Sequence, residues 1–433
     1  MTSNRVKTWI PEDITFWEST GKNIAKQNLF VSTLALTLSF SIWQLWATVA
    51  IHLNNIGFHL SDNQLFTLAA LPGLVGATCR LIYTYMPSIL GGKTWTIIST
   101  AILIIPVTGL GNALQDPTTS YDTLFFLVSL CGVAGGNFSS SMANIGNFYP
   151  RIKKGTALGI NGGMGNLGVS IIYFVAPLAM TTSIFKGIFG NPQVTKAGTE
   201  IYLQNIAYVW ILPIIITVIL ACYFMDNLPN VKQSPKSILA LFKEKHTWIM
   251  TWIYTCCFGS FIGFSAALSL LVNKEFPEIS FTFAAFLGPF IGACIRPFGG
   301  WLSDKIDSGA KVTYYAFIVL LLSTIGVIFF IQAHQFVPFF ICFLILFAMT
   351  GLANGSTFRM IPNIFNAQQS SLASGFTAAI AAYGAFGIPK IFGWSYSAFK
   401  DVSIAFYLLI AYYIITIFLT YYYYARKNAE VKC

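Results

Sequence analysis

Arg80 closes the stretch LPGLVGATCR (71–80), and Arg296 closes LGPFIGACIR (287–296), each within a long apolar run. A guanidinium stays protonated and offers five N–H donors in a fixed plane, a geometry that matches a planar oxyanion. A charge carried to the centre of a bilayer costs about 2.5–3.5 kcal/mol on insertion scales, so each arginine needs a partner. The sequence supplies none. All fifteen acidic residues fall in predicted loops or at span ends, and so do the four histidines, His52, His59, His246 and His334. Arg80 is expected well inside its span, about 16 Å from the inner end at the rise of an α-helix. Arg296 stands closer to Asp304. A single buried arginine can be held by backbone carbonyls at a kink; a matched pair without acids describes an anion site.

The elements that must position this pair are membrane helices. Hydrophobic residues make up 55% of the 433, charged residues 9%, and mean hydropathy is +0.67, far from the roughly one-quarter charged residues of a soluble domain. Twelve runs are long enough to cross a hydrocarbon core: 30–54, 63–88, 94–113, 121–148, 155–182, 202–225, 248–273, 280–303, 313–332, 337–361, 371–394 and 402–425. The chain is expected to be an all-α integral membrane protein in contact with the lipid bilayer. Residues 1–29 lack the pattern of a cleavable signal. Within them 11–27 is expected either as a short interfacial helix or as a solvated tail.

The formal charge of +10 follows topology and gives no reason to expect nucleic acid. With the N-terminus inside, seventeen Lys and Arg residues fall in inward segments and five in outward ones. This bias places both termini in the cytoplasm. The eight cysteines show no metal spacing and are expected as unpaired packing residues. No cofactor is implied. A membrane enzyme would need nucleophiles, metal ligands or a carboxylate pair within the spans, and the pattern offers none.

The two arginines lie half a chain length apart, and their surroundings repeat. Leu71, Gly76, Ala77 and Arg80 match Leu287, Gly292, Ala293 and Arg296. Gly132, Ala134, Gly136, Asn144 and Ile145 match Gly351, Ala353, Gly355, Asn363 and Ile364, and 159–168 matches 375–384 through small residues. Three matches in one order predict two parallel six-helix halves with a site at their interface, the architecture of major facilitator transporters. The predicted organisation is an N-terminal segment 1–29, a half 30–225, a linker 226–247, a half 248–425 and a tail 426–433. The Gly-, Ser- and Asn-rich tracts suit close helix packing, and Asn161 and Asn166 are candidates to bond a ligand.

GGNFSSSMANI (135–145) followed by ALGINGGMGNLGVS (157–170) resembles the signature of the nitrate/nitrite porter family of the major facilitator superfamily, of the bacterial exchanger type. LPGLVGATCR, GSFIGFSAAL, GPFIGACIR and GSTFRMI fit the same pattern, over essentially the whole chain. The resemblance implies that Arg80 and Arg296 bind nitrate or nitrite, with Phe138 and Phe258 above and below the planar ion and Phe40 nearby. Tyr254, Gly162 and Asn166 match further site positions. Gly136, Gly159, Gly163, Gly165 and Gly384 are expected in helix packing and gating, because glycines permit the sliding that opens and closes a cavity, and Asp304 belongs to the superfamily's loop beside an inner gate. The sequence departs from the family pattern in span 11, AAIAAYGAFGIP, which is poorer in glycine, and at Arg359, expected to snorkel or gate. The expected activity is nitrate/nitrite antiport by alternating access in the inner membrane, with a monomer as the functional unit. The absence of a membrane-embedded acid favours exchange over proton coupling. Proton-coupled nitrate import, carriage of another small inorganic anion, and a passive anion channel are the alternatives.

Overall fold

Helices begin where the sequence supplies a cap and stop where a proline or glycine forbids another turn. The computed structural model describes residues 6, 8–182, 190–229, 243–279, 284–365 and 367–433. Its long helices are α1 (Ile14–Leu53), α2 (Asp62–Tyr83), α3 (Gly92–Ala113), α4 (Tyr121–Phe148), α5 (Lys153–Thr181), α6 (Asn205–Phe224) and α7 (Lys245–Glu275). They continue with α8 (Leu287–Lys305), α9 (Gly309–Gln332), α10 (Phe336–Ile364), α11 (Ala373–Phe399) and α12 (Ser403–Ala425). A two-residue pair, β1 (Gln193–Val194) and β2 (Glu200–Ile201), joins α5 to α6.

Among the described residues eleven of these helices are long and apolar enough to span a membrane. The remaining one, α8, has 19 residues, a rise of about 28 Å. It carries Arg296, Asp304 and Lys305, so the helix that bears the second arginine is the least apolar. Twelve passes put both chain ends on one face, here called the near face, opposite the far face.

Boundaries in the first two spans differ from the sequence expectation. The helix that contains the first span begins well before residue 30. Asp13 caps a helix that starts at Ile14 and runs without a break into α1, through a π-turn at Trp17–Gly21. Trp9 sits against Phe148 and Trp17 against Tyr149, so one side of this segment is anchored to the end of α4 while Ile10 and Ile14 stay exposed. At the other end of its pair, α2 stops at Tyr83 where the apolar run extends to 88. Pro87 has no N–H for the Tyr83 carbonyl, and the chain restarts as a short helix, Met86–Leu90. Arg80 is therefore within a turn of a helix end, yet it is fully buried. The tail also folds back: the Ser308 hydroxyl donates to the Cys433 carbonyl over 2.7 Å, and Lys245 pairs with Glu430. Of the expected linker 226–247, residues 230–242 lie outside the described residues.

The repeated glycines mark equivalent helix crossings in the two halves. A β-carbon at Gly132 on α4 would lie 2.6 Å from Val75 on α2, and one at Gly351 on α10 would lie 2.1 Å from the Gly292 carbonyl on α8. The third repeat behaves alike. Gly168 on α5 lies under the Thr37 carbonyl of α1, and Gly384 on α11 lies against Gly259 of α7. Hydrogen at these positions lets backbones approach where lipid gives no hydrophobic drive between helices. Across the halves, α2 runs along α11 and α5 along α8, two contacts exchanged by the same pseudo-twofold axis.

The crossings predict opposite responses to added bulk. At Gly355, where a β-carbon would come within 2.0 Å of the Arg296 carbonyl, Gly355→Val should cost about 1–3 kcal/mol or more by overpacking. Gly155 has nothing within 4 Å, and Gly155→Ala should be neutral or gain up to about 1 kcal/mol of helix propensity. Thermal unfolding of the two variants in detergent checks the difference.

Candidate functional site

The Arg80 side chain leaves α2 in the interior of the bundle and is completely shielded. Its Nε donates to the Gly135 carbonyl over 2.9 Å, and one terminal nitrogen, Nη1, donates to the Ala378 carbonyl over 2.8 Å. The first acceptor lies in the 3₁₀ turn Val133–Gly136 within α4, the second on α11 of the opposite half. Backbone carbonyls at an irregular turn thus hold part of this arginine, as a kink-holding residue would be held. They do not complete it: Nη2 is buried with no hydrogen-bond partner. Among the described residues no ion pair includes Arg80 or Arg296.

Aromatic faces surround this guanidinium. Phe138 lies 4.7 Å from it, Phe258 and Trp43 5.1 Å, and Phe40 5.9 Å, measured to ring centroids. Such contacts stabilise a desolvated cation by about 2 kcal/mol without neutralising it. Phe138 comes from α4 and Phe258 from a π-turn in α7, Thr255–Gly259, so the rings that face each other belong to different halves. Their centroids are 6.2 Å apart and their planes differ by 27°. A flat ion between two rings needs about 7 Å, twice a carbon contact distance. In this state the rings close on each other, and admitting an ion between them requires the halves to separate slightly.

Arg296 approaches from α8 with 7% of its surface exposed. Its Nη1 donates to the Gly162 carbonyl of α5 at 3.5 Å, and its guanidinium lies 5.3 Å from the Phe358 ring. Gly162 is where the arginine and the aromatics meet: a β-carbon there would lie 3.5 Å from both Arg296 Nη2 and the Phe138 ring. Tyr254 is fully buried, stacks on Phe258 at 5.6 Å, and donates its hydroxyl proton to Asn354 Oδ1 over 2.9 Å. Asn166 is buried with its Oδ1 unpartnered.

The structure thus gathers Arg80, Arg296, Gly162, Tyr254, Phe40, Phe138 and Phe258 around one interior region, with Asn166 one turn along α5 from Gly162. Asn161 has tertiary partners already: its Nδ2 donates to Ser141 Oγ over 2.8 Å, and its Oδ1 accepts from Thr33 over 3.2 Å, so it ties α5 to α4 and α1. Trp43, Asn354 and Phe358 were missed; Trp43 faces the Arg80 guanidinium. Asn354 orients Tyr254, and Phe358 lies beneath Arg296; only their place in the second glycine repeat pointed to them. Arg359 proves to be a paired residue, with Nε 3.2 Å from Asp304 and Nη2 2.6 Å from Asp307. It fastens α10 to the α8–α9 loop at the near face.

Several contacts join the halves on the far side of the arginines. Toward the far face, Tyr173 donates to the Ser265 carbonyl and Ser170 to the Phe286 carbonyl. Phe66 stacks on Tyr396 at 5.7 Å, and Lys274 pairs with Asp62 over 2.6 Å. Toward the near face, Gly155, Gly159 and Gly163 on α5 have nothing within 4 Å of where a β-carbon would stand. Of the five glycines expected at packing or gating positions, Gly136 rests on Tyr83 and Cys79, Gly165 on Leu36 and Gly384 on Gly259, while Gly159 and Gly163 line open space. Contacts between the halves thus fasten them toward the far face, and the α5 face that carries Gly155, Gly159 and Gly163 has free space beside it.

The profile of the Major Facilitator Superfamily matches residues 29–389. The nitrate/nitrite transporter NarU of Salmonella typhimurium is 41% identical, over 98% of this chain and 96% of that protein. NarU of Escherichia coli is 38% identical over 99% and 97%. The probable nitrate/nitrite antiporter NarK2 of Thermus thermophilus is 37% identical over 99% and 98%. Among solved structures, a bacterial homologue of the human lysosomal transporter Spinster superposes with a TM-score of 0.72 at 14% identity, covering 92% of this chain and 97% of the other; at that identity it speaks for the fold alone.

The open glycine face generates a test. Gly163→Leu should fold with unchanged thermal stability but obstruct the approach of α5 to the other half. Spin labels placed across the near face should then report a distance distribution locked in the wide population, where the unmodified protein samples both.

Proposed function

The chain belongs to the Major Facilitator Superfamily and is a transporter rather than an enzyme; from that premise we propose that it exchanges nitrate and nitrite across the membrane by alternating access. One observation carries the reading: two buried guanidinium groups from equivalent helices converge on one interior region, and the Arg80 Nη2 donor is orphaned. In low dielectric an unpartnered charge is costly, and a small planar oxyanion supplies both the charge and the missing acceptors. The identity to nitrate/nitrite transporters and antiporters over nearly the whole chain supports nitrate and nitrite as that anion.

In this reading Arg80 and Arg296 bind the ion from the two halves. Phe138 and Phe258 cover its faces, with Phe40 supporting Phe138 at 6.0 Å. Gly162 leaves room beside Arg296, and Tyr254 and Asn166 complete the polar lining. Residues 30–225 and 248–425 are the moving halves, 226–247 the linker, and 1–29 and 426–433 flanking segments on the near face. The excess of lysine and arginine on that face supports a cytoplasmic orientation in the bacterial inner membrane, with one chain as the transport unit.

Exchange follows from the same electrostatics. No acidic residue lies mid-span to carry a coupled proton. When the site is empty, the two cations repel and are unscreened at the moment the halves would close around them. Loaded, they are neutralised in part, and closure becomes cheaper for nitrate and nitrite alike. The site reorients with cargo in both directions.

The test uses purified protein in liposomes loaded with nitrite, with nitrate added outside at equal pH. Coupled counterflow is expected, and Arg80→Lys and Arg296→Lys should each reduce it at least about tenfold, the loss of one charge-assisted hydrogen bond in a planar fork. Uptake that ignores internal nitrite but follows an imposed proton gradient would replace exchange with symport. Absence of transport of either anion would overturn the substrate.

A further inference from the structure

On the far side of the Tyr173–Ser265 contact the two halves part again around a cavity of about 190 Å³. Its polar wall includes Thr48, His52 and Asn55 at the end of α1, Tyr173 on α5, and Ser269 and Asn273 on α7. It is separate from the arginine region. Along α7, Asn273 stands about 22 Å from Phe258 at the rise of a helix, and the layer between contains the Tyr173–Ser265 and Ser170–Phe286 bonds.

The wall holds unused hydrogen-bonding capacity. Ser265, one turn earlier on α7, returns its hydroxyl to the Phe261 carbonyl over 2.8 Å, the habit of a helical serine. Ser269 is 4% exposed and makes no such bond. The side chains of His52, Asn55 and Asn273 likewise bond to no other protein group among the described residues. Together they present amide, imidazole and hydroxyl donors to one space. Among the described residues no carboxylate lines it. The charged neighbours on α7 are engaged elsewhere, Lys274 with Asp62 and Glu275 with the Tyr396 hydroxyl; Glu278 follows Pro277 on the rim. At about 30 Å³ for each water, the cavity accommodates a small oxyanion still carrying part of its hydration shell.

We infer that this cavity is a far-side docking site for the transported oxyanion, a site of neutral donors that holds it immediately outside the Tyr173–Ser265 closure. The inference rests on the nitrate/nitrite reading and adds a second station to it. Neutral donors suit the role. A route through a carrier needs binding strong enough to draw the ion in and weak enough to pass it on, and a third cation here would compete with Arg80 and Arg296 for it. Tyr173 links the two stations, because its ring walls the cavity while its hydroxyl fastens the halves.

The experiment measures nitrate–nitrite counterflow in sealed vesicles of known orientation, with the full chain, and determines half-saturating nitrate separately from each face. For Asn273→Leu and for the milder Ser269→Ala, half-saturation from the far face should rise about three- to tenfold and about twofold respectively. Half-saturation from the near face and the maximal rate should stay unchanged. An unchanged far-face value in both variants overturns the docking site, as does an equal rise on both faces, which marks damage to the arginine region. Absence of counterflow in the unmodified protein overturns the transport reading and the docking site with it, whereas normal counterflow with unmoved far-face values overturns the docking site alone.

Discussion

A guanidinium without a carboxylate, sealed in an apolar bundle, is the constraint around which the rest of this molecule is arranged. Arg80 has lost its water entirely, and the fold compensates only in part. The 3₁₀ turn in α4 tightens the helix by one residue and aims the Gly135 carbonyl at Nε. α11 reaches across from the other half with the Ala378 carbonyl, and four aromatic faces contribute quadrupole attraction that does not cancel charge. Each device stabilises the cation, and none neutralises it. A carboxylate in van der Waals contact would remove the difficulty and with it the reason to bind an anion.

Holding that balance requires backbones placed to within fractions of an ångström, and in a bilayer the force available is close packing rather than hydrophobic exclusion. This explains why the glycine crossings recur. Gly355 lies against the Arg296 carbonyl, so the α8–α10 crossing fixes the height of the second arginine. Gly136 rests on Cys79 and Tyr83, the residues that flank Arg80 on α2, and fixes the first. The same contact performed twice, once in each half, brings two equivalent arginines to one region, and a symmetric site follows from a repeated sequence.

That logic also explains what the sequence disclosed. Charge in an apolar run is visible at once, and so are glycines repeated at matched positions, because both are rare against their background. The architecture and the paired arginines were therefore legible. Phe138 and Phe258 were not legible from spacing, being two among 39 phenylalanines, and only family resemblance singled them out. Asn161 and Asn166 are alike on paper; the difference is that Thr33 and Ser141 happen to stand beside the first, a tertiary fact with no local signal. The end of α2 at Tyr83 had a readable cause, the missing N–H of Pro87, but hydropathy outweighed it because the apolar run continues past the break. The helical N-terminal segment was obscured for the opposite reason: its few aromatics, Trp9, Phe16 and Trp17, are diluted by polar residues, and the partners of Trp9 and Trp17 outside the segment stand on α4 and just beyond it.

The two faces of the molecule then divide the work by chemistry. Closure toward the far face is made of many weak, directional contacts: a ring stack, an exposed ion pair of the kind worth at most about 1 kcal/mol, and hydroxyls donating to carbonyls. Such a set can be broken as a unit without any single large penalty, which suits a surface that must open every cycle. Toward the near face the corresponding surface of α5 is glycine without neighbours, ready to receive another helix. The arginines lie inside a latch fastened toward the far face, and the cost of closing the halves around two bare cations is what ties the motion to the presence of an anion.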